Sequence, residues 1–419
     1  MAVAAARRTS TLSRVSPDSR PTPADAIPSS AQPAAAPTAV KPGENDPGAQ
    51  AVALLVELVG IDSINPALTP GAAGEPRIVA HLAARLQGKG FTTEVVPAAA
   101  ASDRPSLVAI SPGPADRPTI VLNGHLDTVG VSGMDAPFAA RIDGDRLFGR
   151  GAADMKGGIA ALVIAAEQFA APDSPVRVVL ALVADEEDAS VGSEAAVAAL
   201  PGLGIRPDVC LIAEPTDLAL SRSLRGFAVV RVRFAGRAAH SSQAELGVNA
   251  VTHLGRLLHA VAEAAPAIRA QGGDLMVTTV RGGESAFVIP DHAECLVELR
   301  TPPGEPCHRA QAIVQELLDP SWQASTELLA QRDGWRLDAD GPAADLSARL
   351  GAELGTAANF DAPYWMEAPL WQELCPTLIC GPSGGGLHAV DEWVDLRQVR
   401  EFTAALIEVL PRWAATSRG

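Results

Sequence analysis

Aromatic side chains are scarce in this sequence. Phe, Trp and Tyr together make up 4% of it, and there is a single tyrosine. A core must therefore be filled largely by Ala, Val and Leu. Cysteine is nearly absent as well: Cys210, Cys295, Cys307, Cys375 and Cys380 are widely spaced, with no CxxC. An odd number at such spacing argues against a disulfide framework or a Cys-ligated zinc, and fits reduced thiols in a cytosolic protein. No apolar run reaches the roughly 18 residues needed to span a bilayer. Basic charge is in deficit, with 33 Lys and Arg against 49 Asp and Glu and a net charge of −16. That balance argues against a nucleic-acid or anionic-membrane surface. What is present is 47% hydrophobic and 20% charged residues over 419 positions. This is a soluble globular profile, long enough for two domains.

Residues 1–48 stand apart, being rich in Ala, Pro and Ser without periodicity, and read as a disordered tail. Arg7, Arg8 and Arg14 are not followed by the apolar region of a signal peptide. After the tail, helical patterns over 49–66, 75–91 and 157–171 alternate with apolar strands at 106–110, 119–127, 176–185 and 208–215. Near-continuous apolar strands alternating with helices predict a parallel or mixed α/β sheet covered on both faces. The pattern changes near Ser223. Residues 225–240 alternate apolar and polar side chains, as a half-exposed antiparallel strand does. A helix at 247–265, two strands, a helix at 305–318 and a strand near 323–330 complete a β-α-β-β-α-β unit of ferredoxin-like pattern. Helix and strand signals of the first kind then return. The expected organisation is a tail (1–48), a catalytic domain in two parts (49–222 and 336–419) and an inserted α+β unit (223–335).

One stretch raises a chemical question. In "LALVADEEDASVG" an apolar strand ends in Asp185, Glu186, Glu187 and Asp188. Two carboxylates about 4 Å apart repel by roughly 4 kcal/mol at an effective dielectric near 20. Either these acids face water or a cation sits among them. Other strand ends and adjoining loops are similarly equipped: His125 and Asp127 in "NGHLD", Asp154 in "GRGAADMKGG", Glu214 in "AEPTD" and His388 in "GPSGGGLHAVDEWV". Each alone reads as a structural histidine, a solvated loop or a helix cap. Together, at the carboxyl ends of strands where α/β sheets bind ligands, they offer imidazole and carboxylate donors for a hydrolytic zinc or dinuclear site.

"GHLDTV", "GRGAADMKGG", "DEE", "AEPT" and "HAVDEWV" together resemble the signature of one metallohydrolase superfamily, peptidase family M20. It includes acetylornithine deacetylase, succinyl-diaminopimelate desuccinylase, aminoacylase and bacterial glutamate carboxypeptidase. The resemblance runs from about residue 50 to about 415. It implies a mixed-sheet zinc-exopeptidase-like catalytic domain with an inserted ferredoxin-like lid that mediates homodimerisation. It implies two zinc ions per subunit, with cobalt or manganese also suited to such donors, or a single ion held by His125, Asp154 and Glu214. His125 and Glu214 match ligands of one metal, Glu187 and His388 ligands of the other, and Asp154 the bridging carboxylate. Glu186 matches a general base and Asp127 a carboxylate that orients the metal-bound imidazole. His240 matches a lid histidine that stabilises an oxyanion, often from the other subunit. Arg300 matches an arginine for a substrate carboxylate, the alternative being a surface salt bridge. Gly385 and its neighbours would offer backbone N–H groups to such a carboxylate, or form a merely flexible loop.

The implied activity is removal of an N-acyl group from an amino acid or related amine by a metal-bridging hydroxide. The alternatives are a metallo-exopeptidase of the same superfamily and a non-catalytic binding protein on the same fold. A retired enzyme would be expected to lack Glu186 or a ligand, and every matched position here carries a competent side chain. Two departures stand out. Phe287 occupies the place of an Asn that helps hold substrate in many relatives, and "GPS" at 381–383 replaces Gly-Pro-Gly.

Overall fold

The computed structural model describes residues 46–98 and 101–416. Most of the segment read as a tail therefore lies outside the described residues. The first helix already begins at Pro47, capped by the Asp46 side chain, which accepts from Gly48 N.

The main sheet has six strands in the spatial order 92–98, 101–110, 177–183, 119–125, 209–212 and 377–379. The first two joints are antiparallel, and the last four strands run parallel. Strand Thr119–His125 is buried at every position, as a strand covered on both faces must be. One cover is the helix Gly157–Glu167, buried at every residue, wedged between the sheet and the helices Pro47–Val59 and Leu396–Thr416. A helix apolar all round is stable only in such a position. Gly158 lets this helix approach the strand end: a Cβ there would collide with the Ala213 carbonyl oxygen.

Residues 226–332 build a second sheet, in the order 274–282, 292–301, 226–235 and 324–332, all antiparallel. That is the strand arrangement of a ferredoxin-like unit. Helices Ala250–Ala270 and Ala310–Glu316 pack on it. Burial alternates along Gly226–Ala235 and His292–Thr301, so one face is covered and the other more open. Val230, Val232, Leu254, Leu257 and Val297 belong to a hydrophobic core separate from that of the main sheet.

The differences from the sequence expectation are local. Strand Thr92–Ala98 escapes the apolar pattern because it is an edge strand, largely exposed and carrying Pro97. The helix expected from 247 starts at Ala250, because the Asn249 side chain caps it by accepting from Thr252 N. The helix expected over 305–318 is confined to Ala310–Glu316. Gly158→Ala is expected to destabilise the protein by about 1–3 kcal/mol through overpacking against Ala213. Denaturant unfolding that showed no loss would mean that the helix can shift away from the sheet.

Candidate metal centre

The four parallel strands end on one edge, and their register sets the site. His125 pairs with Val183, and Asn123 with Ile212. The residues just beyond these strand ends, Glu186, Glu187 and Glu214, therefore converge on His125. Asp154 arrives on the loop before the buried helix. His125 Nε2 lies 2.9 Å from Asp154 Oδ1 and 4.0 Å from Glu214 Oε1. His388 Nε2 lies 3.3 Å from Asp154 Oδ2 and 3.0 Å from Glu187 Oε2. Two candidate ligand groups result: His125, Asp154 and Glu214, and Asp154, Glu187 and His388, each with donor atoms within 4.8 Å of one another. Asp154 belongs to both and turns one oxygen to each imidazole.

The donor set fits divalent cations. His125 Nδ1 lies 3.0 Å from the Asp127 backbone oxygen. A carbonyl can only accept, so Nδ1 carries the hydrogen and Nε2 is left to face Asp154 and Glu214. The electrostatics also call for positive charge. Burial and the nearby Glu214 carboxylate push Glu186 well above its ordinary value. Burial, with Asp154 beside it, raises Glu187. Burial chiefly pushes Glu214 up to about 8. Burial disfavours a charged His125, but its contact with Asp154 and the charges of Glu186 and Glu214 outweigh that and raise it well above its ordinary value. Hydrogen bonds to Asp154 and Glu187 push His388 up to about 10. Burial would raise Asp154, yet the two imidazoles hold it below the usual carboxylate range. Protons on these groups supply the charge compensation that metal cations would otherwise give.

The four-acid run is not one cluster. Asp185 turns inward, accepting from Arg104 Nη1 at 2.7 Å and Asn65 Nδ2 at 3.0 Å. Arg104 also donates through Nε to Glu75 at 2.8 Å. Asp188 is exposed. Only Glu186 and Glu187 face the centre, so cations are not what offsets the charge of Asp185. The Asp127 carboxylate has further partners besides the His125 ring. It lies 3.8 Å from the imidazole and also accepts from Glu186 N at 3.0 Å, Glu187 N at 3.2 Å and Asn65 Nδ2 at 2.8 Å. The Asp127 backbone oxygen is the nearer partner of the ring, and its carboxylate also holds the loop that carries the two glutamates.

Gly385 is not among the residues that line the cavity over the centre, whereas Leu387 and His388 are. Gly384 and Gly385 pair with Val394 and Trp393, and a Cβ at either would strike Trp393. Close packing on that strand calls for glycine at both positions. His240 is exposed, bonds Ser242 Oγ at 2.8 Å, and is also absent from the lining. Arg300 lines the cavity, with Nε bonded to Glu298 at 2.6 Å.

Two residues were not singled out from the sequence. Glu392 is buried and clamps the Asp154 loop by accepting from Arg150 Nη1, Gly151 N, Ala153 N and Asp154 N at 2.7–3.2 Å. It stands in "HAVDEWV", four residues after His388, where its burial was the missing signal. Glu367 is buried, pushed up to about 8 mainly by that burial, and contributes to raising Glu186 and Glu214. Nothing in its sequence neighbourhood marks it.

The pH dependence of cation binding follows from these shifts. In the metal-free fold, Glu214 has a raised pKa of about 8 and His388 one of about 10. The folded state therefore binds more protons than the unfolded state, and metal-free stability falls as pH rises from about 4.5 towards 10. A cation must displace those protons, so its stabilising effect grows with pH. The melting-temperature gap between metal-loaded and chelated protein is expected to widen from pH 5.5 to pH 8. A gap independent of pH would show that no proton displacement accompanies binding.

Comparison with known proteins agrees with this geometry. The model of peptidase family M20/M25/M40 matches residues 121–412. Acetylornithine deacetylase of Photorhabdus laumondii is 27% identical over 381 residues, covering 85% of this chain and 96% of its own. That of Myxococcus xanthus is 29% identical over 376 residues, covering 84% and 95%. Among solved structures, a tripeptidase from Staphylococcus aureus superposes with a TM-score of 0.72 at 15% identity, covering 88% of this chain and 99% of its own. A dinuclear metal-binding peptidase of the M20 family from Bacillus subtilis does so with a TM-score of 0.64 at 15% identity, covering 87% and 98%. These two likenesses bear on the fold alone, but the family match spans most of the sequence, and the chain belongs to peptidase family M20/M25/M40.

Proposed function

We propose that this protein is a metal-dependent amidohydrolase that removes an N-acyl group from an amino acid or related amine, in the manner of an acetylornithine deacetylase. The observation that carries this reading is the pair of ligand groups sharing Asp154, with Glu186 beside them in the same cavity. The deacetylase relatives named above support deacylation over peptide cleavage. Zinc is the metal we assign, from the mixed imidazole and carboxylate donors. His125, Asp154 and Glu214 would hold one ion, and Asp154, Glu187 and His388 the other. When bound, such ions polarise a scissile carbonyl and make water acidic enough to act near neutral pH.

Glu186 is the group positioned to move protons. Its carboxylate takes the proton of the attacking water and delivers it to the leaving amine nitrogen, so that the C–N bond breaks to give a carboxylate and a free amine. Asp127 fixes this residue through its backbone N–H. Arg300, steadied by Glu298, has its Nη donors left for a substrate carboxylate. The unit at 223–335 is the proposed lid and dimerisation domain. His240 lies on its exposed surface, beside Phe287 and Val288, and would act on the partner subunit's substrate.

Glu186→Gln is expected to lower kcat by about 10²–10⁴-fold while metal content and KM stay close to the parent. Chelation should abolish turnover, and zinc should restore it. Unchanged turnover in Glu186→Gln would remove the general-base assignment. Mixing His240→Ala and Glu186→Gln proteins, each nearly inactive, is expected to restore activity in the heterodimer. No recovery, or a strictly monomeric active enzyme by sedimentation, would exclude His240 acting between subunits.

A further inference from the structure

The cavity over the metal centre measures about 700 Å³, and its lining is of two chemical kinds. Its acids are Asp154, Glu186, Glu187, Asp188 and Glu214. The apolar part of its wall is Phe227, Leu329, Tyr364, Trp365, Met366 and Leu387, with Ser190 and Gln331 as uncharged polar lining. Leu329, Tyr364 and Leu387 are 38%, 42% and 40% exposed, unusual for large apolar side chains that line one cavity. The chain is poor in aromatics, yet its single tyrosine is here, and Phe227 and Trp365 meet edge to face at 6.0 Å.

Two arginines also enter this wall, and both are already engaged. Arg332 donates from Nη2 to Ala189 O and to Glu194 Oε1, each at 2.8 Å, and lies over the Trp365 ring at 6.0 Å. Arg300 is paired with Glu298 and lies over Phe227 at 5.3 Å. Arg300 can still receive one carboxylate through its Nη donors. Beyond that contact this part of the wall offers a substrate chiefly aromatic faces and alkyl groups, and the exposed Asp188 is the acid of the lining most open to an ammonium group. The cavity is also larger than a short N-acetyl amino acid fills, and falls in the range that encloses larger, mostly apolar ligands.

We infer that this wall is an apolar subsite, and that the substrate is an N-acyl amino acid carrying a bulky apolar group, aromatic or long-alkyl, and not an N-acetyl amino acid with a cationic side chain. The inference rests on the amidohydrolase reading and narrows it. Phe227 and Trp365 grip the apolar group while Arg300 takes the carboxylate. The acyl bond is thereby held towards Glu186.

The test is a comparison of kcat/KM for N-acetylphenylalanine, N-octanoylglycine, N-acetylglycine and N-acetylornithine on the zinc-loaded enzyme. It is joined by calorimetric binding of the same compounds to the Glu186→Gln protein. At least one of the first two compounds is expected to exceed both N-acetylglycine and N-acetylornithine by about tenfold or more, the scale of a few buried methylenes in an apolar pocket. Which of the two gains tells whether the amino-acid side chain or the acyl group occupies the wall. Tyr364→Ala should erase the advantage, and Leu329→Glu should shift preference towards N-acetylornithine. N-acetylornithine as the best substrate, or a flat series, would overturn the apolar subsite and leave the amidohydrolase reading intact. Tight binding of the apolar compounds, reversed in Leu329→Glu but with no hydrolysis, would uphold the subsite and refute the hydrolase. Neither binding nor hydrolysis would overturn both.

Discussion

Everything at the catalytic edge depends on one carboxylate shared between two imidazoles. Asp154 places an oxygen on each side, so that one acid joins two ligand groups from opposite ends of the chain. A buried carboxylate in that position is unfavourable unless positive charge meets both oxygens. The surrounding acids make the demand greater. Glu186, Glu187 and Glu214 are all raised, and the two histidines are the basic partners that face them. A fold that gathers acids in this way is made for cations.

The support of the site is as specific as the site. Glu392 accepts from three backbone N–H groups of the Asp154 loop and from Arg150, fixing Asp154 between the two imidazoles. Asp127 does the same for the Glu186–Glu187 loop. Behind it, Asn65 links Asp127 to Asp185, and Arg104 links Asp185 to Glu75. Asp127, Asp185 and Glu75 thus each meet a donor, which is the condition for burying them at all. Such preorganisation costs nothing at the moment of reaction, because the dipoles are already aimed.

The same cavity also has an apolar stretch of wall, contributed partly by the antiparallel sheet of residues 226–332 and partly by 364–366. The division matches what hydrolysis of an amide requires. Charge has to be fixed where the bond breaks, and shape and hydrophobicity choose what is brought there.

The sequence by itself determined the elements and most of the residues that meet at the strand ends. Alternating strands and helices announced the α/β sheet. The change to half-exposed alternation announced the second unit, and motifs at strand ends named His125, Asp154, Glu187, Glu214 and His388. These were legible because strand burial and strand-end position are local properties. Tertiary structure decided the rest. Asp185 belongs to Arg104 and not to the centre, and the Asp127 carboxylate holds the Glu186–Glu187 loop as well as facing the His125 ring. Gly385 packs on Trp393, and Glu392 and Glu367 are buried partners that no local pattern marks. Each of these depends on which distant segment lies opposite: Arg150 meets Glu392 and Arg104 meets Asp185 only once the sheet has closed. A side chain's type is written locally, but its partner is set by packing across the fold.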